Sequence, residues 1–317
     1  MKRLTVFLKI ALLPVIMGAG LAACSDQPAP ESTAVWATPP MPTTAARSPT
    51  PPSPTPPPTA TPSPAITPSL TPTATPAWWQ PPPRTTWQIQ LNSGNIDLSF
   101  AAQAYDVDLF DTPTDTIARL HQMGRRAICY FSAGTYEDWR PDADRYLGHH
   151  LLGKPLEDWE GEWYVDIRRM DVLGPILSAR LDLAAKKGCD AVDPDNVQGY
   201  QEDTGFDLTP ADQLTFNRWL AEQTHARGLG VGLKNDREQI PHLVDDFDFA
   251  VDEECFAYGE CEPLHAFVDA GKAVFEIEYD LTAAAVCPQA NAWGFSALLK
   301  PWDLSASRYD CLQDYRP

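Results

Sequence analysis

Residues 87–317 predict an α/β fold, a (β/α)8 barrel of the TIM type, and three observations predict it. Short apolar runs alternate with helix-patterned stretches along the whole segment, as βα units of a parallel sheet require. The segment is close to the roughly 250 residues that such a barrel takes. Four of the runs end in acid: Tyr105-Asp106-Val107-Asp108, Asp193-Pro194-Asp195-Asn196, Asp252-Glu253-Glu254 and Glu276-Ile277-Glu278. Barrel enzymes carry their working residues at the carboxyl ends of strands.

The expected strands are 87–91, 104–110, 126–132, 163–167, 189–193, 229–234, 248–252, 273–279 and 294–299. That is nine for eight places, so one is surplus, and the shortest runs, 87–91 and 163–167, are the candidates. The clearest helix begins at Thr209-Pro210, where threonine can cap free N–H groups and proline loses no needed donor. Leu214, Phe216, Trp219 and Leu220 give it an apolar side, and Gly228 ends it. A second helix, about 171 to 187, carries Leu173, Ile176, Leu177, Leu181 and Ala184 at helical spacing before Gly188. No internal repeat of fixed period is present.

Upstream of the barrel the chain changes character twice. In residues 1–24, Lys2, Arg3 and Lys9 precede or open an apolar run ending in Leu21-Ala22-Ala23-Cys24, which reads as a secretory signal. The tetrapeptide looks like a bacterial lipobox, with Cys24 as the lipidated residue. The run is short of the ~20 residues of a membrane span, so the expectation is an extracytoplasmic protein held to the bacterial cell membrane or envelope surface by lipid. Residues 25–86 hold twenty of the 32 prolines, mixed with Thr, Ser and Ala. Such a tract has too little apolar side chain to offset ordering entropy and is expected as a disordered linker. In polyproline form, at about 3.1 Å per residue, it could reach ~180 Å.

Residues 87–317 carry 19 Lys and Arg against 41 Asp and Glu, a formal charge of −22. Nucleic acid, which demands a basic face, is excluded as a partner, whereas a cationic ligand would be attracted. Beyond Cys24 the cysteines are even in number, which in an exported domain suggests disulfides. Cys255 with Cys261 is the first candidate pair and Cys287 with Cys311 the next. Cys129 and Cys189 fall in buried strands and suit either a bridge or a reduced core. No C-x-x-C occurs, and neither a metal nor an organic cofactor is expected; the domain is expected as a monomer.

Alternation of side chains turns the strands into a site. With Val107 and Leu109 toward the outer helices, Asp106 and Asp108 point inward; likewise Asp193 and Asp195 lie opposite Val192, Lys234 opposite Val231 and Leu233, and Glu276 and Glu278 opposite Phe275 and Ile277. Glycoside hydrolysis needs two carboxyl groups flanking the scissile bond. Asp195 as nucleophile or base and Glu253 as acid/base are the favoured pair. Parity from Phe249 and Val251 instead turns Asp252 and Glu254 inward, so either glutamate of the triplet could be the acid. Asp-Pro-Asp-Asn is also good turn chemistry, but an EF-hand is excluded because Val197 takes the fifth position and Gly199 the seventh. Tyr130, Tyr136, Trp139, Tyr200, Phe256 and Tyr258 lie near strand ends where sugar rings could stack, and Lys234-Asn235 could position a hydroxyl or a carboxylate. There is no G-x-S-x-G, H-E-x-x-H or P-loop.

Four ordered strings, Ile128-Cys129-Tyr130-Phe131-Ser132-Ala133-Gly134, Gly188-Cys189-Asp190-Ala191-Val192-Asp193-Pro194-Asp195-Asn196, Gly232-Leu233-Lys234-Asn235-Asp236, and Glu253-Glu254-Cys255 followed by Glu260-Cys261, resemble glycoside hydrolase family 114, the endo-α-1,4-polygalactosaminidases. The resemblance runs from about Trp87 to Leu299. It implies a (β/α)8 barrel cutting within α-1,4-linked galactosamine chains, cationic where deacetylated. It also implies Asp195 and Glu253 as the acidic pair, with Asp106, Asp108, Tyr130, Asp193, Asn196, Lys234, Asn235, Glu254, Glu276 and Glu278 as expected substrate-binding residues around them. Asp252 and Glu254 depart from the Asn-like and Gln-like neighbours expected beside that glutamate. Two other readings remain: a barrel that binds amino-sugar polymer without cutting it, and a glycosidase for another amino-sugar polymer.

Overall fold

The computed structural model describes residues 77–92 and 95–316; the expected export signal, Cys24 and the expected linker up to residue 76 lie outside the described residues. The elements run β1 (Trp87–Gln90), β2 (Ala104–Asp108), α1 (Thr114–Gln122), β3 (Arg126–Ser132), β4 (Thr135–Glu137), β5 (Leu152–Pro155), β6 (Glu162–Val165), α2 (Met170–Lys187), β7 (Ala191–Asp195), α3 (Pro210–His225), β8 (Gly230–Lys234), α4 (Ile240–Leu243), β9 (Phe249–Glu253), α5 (Cys255–Tyr258), α6 (His265–Asp269), β10 (Ala273–Glu278), α7 (Ala283–Trp293), β11 (Ser296–Leu299) and β12 (Tyr309–Asp310). Eight parallel strands follow one another in the order β1-β2-β3-β7-β8-β9-β10-β11, with β12 antiparallel on β11. The sheet curls as a TIM-type barrel. Its seam lies between β11 and β1, where Trp87 Nε1 donates to the Ser296 carbonyl at 2.7 Å. The segment leading into β12 runs along β1: Leu91 N bonds the Leu304 carbonyl, Gln88 Nε2 the Ala306 carbonyl, and the Arg308 guanidinium the Trp87 carbonyl.

Of the two short runs, 87–91 supplies a true barrel strand. The surplus one, 163–167, falls in β6, the middle of a small antiparallel sheet, β4-β6-β5, inserted between β3 and α2. The helix boundaries follow the local chemistry. The Thr209 side chain accepts from Asp212 N and the Asp212 carboxylate accepts from Thr209 N, a reciprocal cap, while Gly188 ends α2 at φ 86°. Among the described residues no helix is long and apolar enough to cross a membrane.

Two buried layers fix which way each strand faces. The barrel interior holds Trp87, Ile89, Ala104, Ile128, Ala191, Phe249, Val251, Ala273, Phe275, Ile277 and Leu298. The helix-facing layer takes Val107, Leu109, Val192, Val231, Leu233, Ala250 and Val274. Parity thus holds for β2, β7 and β8 but is reversed for β9 and β10. The reason is volume. Alanines and the glycines of β8 leave the interior roomy, and Phe249 fills it so closely that a Cβ on Gly232 would lie 2.5 Å from its ring. Phe275 packs between Phe249 and Trp87, with centroids 5.5 and 4.7 Å away. With the large apolar residues inside, Glu253 points inward, and Asp252, Glu276 and Glu278 point toward the helices.

The proline-rich tract ends in structure before Trp87. Trp78 stacks on His225 with centroids 3.9 Å apart, and its Nε1 donates to Asp248 Oδ1 at 2.9 Å, as does Gln80 Nε2 at 2.7 Å. Ala273 N bonds the Pro81 carbonyl, and the Trp79 carbonyl sits where a Cβ of Gly230 would be, 2.4 Å away. Residues 78–86 therefore form a strap across the amino ends of β8, β9 and β10, which moves the domain's start upstream of the composition boundary at 86/87. Cys255 bonds Cys261 and Cys287 bonds Cys311, and Cys129 and Cys189 are also bridged, tying β3 to the start of β7.

Candidate active site

β7, β8 and β9 bring Asp195, Lys234 and Glu253 together at their carboxyl ends. Lys234 Nζ lies 3.0 Å from Asp195 Oδ1 and 3.3 Å from Glu253 Oε2, so one ammonium spans both carboxylates. Tyr130, inward on β3, donates to Asp195 Oδ2 at 2.8 Å, and Asn196 N donates to Oδ1 at 2.8 Å. On the other side Tyr279, just past β10, donates to Glu253 Oε1 at 2.5 Å, and Asn235 Oδ1 accepts from Glu253 N at 3.1 Å. The two acids keep 18% and 25% of their side-chain surface open, against 6% for the lysine. A substrate can therefore touch the carboxylates but not the cation.

Burial alone would raise the Asp195 carboxyl, but the Lys234 charge and the bonds from Lys234, Tyr130 and Asn196 outweigh it and hold the group below the usual carboxylate value. Burial likewise disfavours the Lys234 ammonium, yet Asp195, Glu253 and Asp193 around it push it well up, so it stays charged. Beneath this layer sit Asp106 and Asp193, both fully buried and side by side, Asp106 keeping the proton that it donates to Asp193. Burial first, then mutual repulsion, drives Asp106 far up. Asp193 is raised to about 7, chiefly by burial. Crowded carboxyls of this kind retain a proton near neutrality. Neither reaches the cleft.

The remaining expected residues divide. Asp108 is locked by Arg140 at 2.7 Å and by the N–H groups of Phe110 and Asp111, so it caps a turn and does not face substrate. Asn196, at φ 60°, turns its amide to Ser132 Oγ at 3.0 Å and Glu162 Oε1 at 3.3 Å, joining the inserted sheet to Asp195. That junction needs Gly134, because a Cβ there would lie 1.7 Å from the Asn196 carbonyl oxygen. Burial, above all, pushes the Glu162 carboxyl up to about 8.

Glu276 and Glu278, expected inside, lie on the helix-facing side and accept from Cys255 N at 3.1 Å and Phe256 N at 2.7 Å. They hold the disulfide loop after β9, together with Asp252, which takes Arg237 in a forked pair at 2.9 Å. Asp252, Cys255 and Glu276 are metal-ligand types in one cluster. The sulfur there is bonded to Cys261 and Asp252 is occupied by Arg237, so the group does not suit an ion.

Beside Glu253 a cleft of about 680 Å³ opens between the loops after β7, β8 and β9, lined by Gln198, Glu202, Asn235, Glu238, Glu254, Tyr258, Glu260 and Glu262 among others. Of the expected aromatics, Tyr258 lines it; Tyr136 packs against Tyr146 and Trp163 in the inserted sheet, and Phe256 stacks on Trp293. Tyr200 bonds Glu238 at 3.3 Å. Trp139 is exposed beyond the inserted sheet. Tyr279 and Glu162 are absent from the sequence expectation. Tyr279 continues the inward parity that the structure gives Phe275 and Ile277, the reverse of the face expected from the sequence.

The model of glycoside-hydrolase family GH114 matches residues 68–316. The crystal structure of Ega3 from Aspergillus fumigatus in complex with galactosamine is 42% identical, covers 75% of this chain and 99% of its own, and superposes with a TM-score of 0.71. The glycoside hydrolase domain of PelA from Pseudomonas aeruginosa, at 14% identity, 71% and 98% coverage and a TM-score of 0.56, shares the fold. A search of curated proteins found no match.

Proposed function

The chain belongs to glycoside-hydrolase family GH114 and is a glycoside hydrolase, and from this premise we propose that it cuts within α-1,4-linked, galactosamine-rich, partly deacetylated polysaccharide using Asp195 and Glu253. The observation that carries the reading is the single ammonium of Lys234 held between those two carboxylates. Lys234 Nζ lies 3.0 Å from Asp195 Oδ1 and 3.3 Å from Glu253 Oε2, so those two oxygens are at most about 6.3 Å apart. Retaining glycosidases space their carboxyls at about 5 to 5.5 Å, and inverting ones at roughly 6.5 to 9.5 Å.

In the proposed course, the ionised Asp195 attacks the anomeric carbon while Glu253, carrying the proton, gives it to the departing glycosidic oxygen. The glycosyl ester so formed is opened by a water whose proton returns to Glu253. Lys234 favours the ionised nucleophile before attack, and Tyr279 fixes the acid's oxygen. The acidic cleft beside Glu253 supports a cationic chain as substrate, and the galactosamine bound to Ega3 supports the sugar. We assign the protein further, on its first 24 residues, to a lipid anchor at Cys24 outside the cytoplasm.

The test is reducing-end release from deacetylated α-1,4-galactosamine polymer, with Asp195→Asn and Glu253→Gln alongside. Each substitution should lower kcat by about 10³-fold or more. Binding without release by the wild type would leave a binding module, and preferential cleavage of glucosamine chains would reassign the polymer.

A further inference from the structure

We propose that Trp302 is the floor of a sugar-binding subsite next to the cleavage point, on the β10–β11 side of Glu253. Resting on the hydrolase reading above, it deepens that reading by naming where a neighbouring amino-sugar ring sits. Trp302 leaves 57% of its surface open, among the highest exposures of any large apolar residue described. One face of the indole is nevertheless committed: it stacks on Tyr279 with centroids 4.0 Å apart and planes 16° from parallel. The same Tyr279 donates to Glu253 Oε1. An open aromatic face thus lies one ring away from the residue bonded to the catalytic acid.

The loop carrying it is built to stay in place. Leu304 N bonds the Pro301 carbonyl at 2.9 Å, Ser305 N bonds Asp303 Oδ1 at 3.0 Å, and Lys300 Nζ bonds the Ser305 carbonyl at 2.5 Å. Leu91 N from β1 fastens the Leu304 carbonyl at 3.2 Å. An exposed indole on a fastened loop is positioned in advance, so little ordering is lost when a ligand lands on it. The ligand class follows from the ring. A hexose with an axial O4 shows one face of clustered C–H groups, which packs on an aromatic plane, and an ammonium at C2 is drawn to the ring's negative face. The acidic cleft lies toward β7–β9 and Trp302 toward β10–β11, so a polymer crossing Glu253 meets carboxylates on one side and an aromatic floor on the other.

The experiment uses the full chain with partly deacetylated α-1,4-galactosamine oligomers of defined length. Trp302→Ala should raise KM by about 10-fold while kcat stays within about 2-fold, with Trp302→Tyr restoring most of the loss and the melting temperature unmoved. In parallel, calorimetry on Glu253→Gln with and without Trp302→Ala reads affinity apart from cleavage, again with about 10-fold weakening expected. An unchanged KM and unchanged affinity in the alanine variant would overturn the subsite, as would a loss confined to kcat. If the wild type cuts none of these oligomers but their binding still depends on Trp302, the subsite stands and the hydrolase substrate falls. If they are neither cut nor bound, both fall.

Discussion

Replacing Lys234 by methionine keeps the buried stem and deletes the one cation between the two acids. The ammonium sits 3.0 Å from Asp195 and 3.3 Å from Glu253. At an effective dielectric of ~20, the contact with the ionised Asp195 carries about 5 kcal/mol of attraction, part of which is offset by the cost of burying the lysine. The Lys234 charge and its bond are the main causes that hold the Asp195 carboxyl below its ordinary value against burial, and Lys234→Met removes both. Asp195 must be ionised to attack, so its upward shift moves the acid limb of kcat/KM toward neutrality. Activity should therefore fall far more near pH 5 than near pH 8. Lys234→Arg, which keeps the charge, should lower kcat while leaving the limb close to its original position. Reducing-end release measured across the pH range, with circular dichroism to verify folding, decides the matter. An acid limb in Lys234→Met that coincides with the wild type would refute the role given to the ammonium.

Three further outcomes are expected. Glu162, raised to about 8 from an ordinary 4.5, holds its proton more tightly folded than unfolded. Its contribution to stability is complete below the ordinary value and is lost as pH climbs through about 8. Glu162→Gln should accordingly flatten the decline in melting temperature between about pH 4.5 and 8, and a parallel decline in both proteins would count against it. Trp78→Ala removes the stack on His225 and the bond to Asp248 at the end of the barrel away from the acids. A loss of about 1–2 kcal/mol, or roughly 3–6 °C in melting temperature, is expected with kcat/KM unchanged. Removing the Cys129–Cys189 bridge, which spans 60 residues, should cost about 4 kcal/mol in urea unfolding, against about 2 for Cys255–Cys261, which spans 6.

The faces of β2, β7 and β8 were legible because each mixes acid or lysine on one side with Val or Leu on the other, and the polar side lies toward the cleft. β9 and β10 show the same alternation with the opposite outcome. Both faces of a barrel strand are buried, so an apolar–acid alternation does not say which face is inner. The deciding sign was on a neighbour: Gly232 leaves a space that a bulky residue of β9 can fill, and Phe249 takes it. Family resemblance named Glu253 where parity pointed to its neighbours. The inserted sheet stayed hidden because β4 and β5 are short, polar and rich in Gly, Lys and Thr, without a period to read. The strap was hidden by its prolines. Composition marks Pro81-Pro82-Pro83 as linker, whereas the tryptophan beside them stacks on His225.

That strap gives the molecule two poles. Chain continuing upstream from Trp78 starts its path at the amino ends of the strands, and the paired acids open at the carboxyl ends. The described chain thus enters the barrel at the blunt pole. The strap therefore leaves the opposite mouth uncrossed.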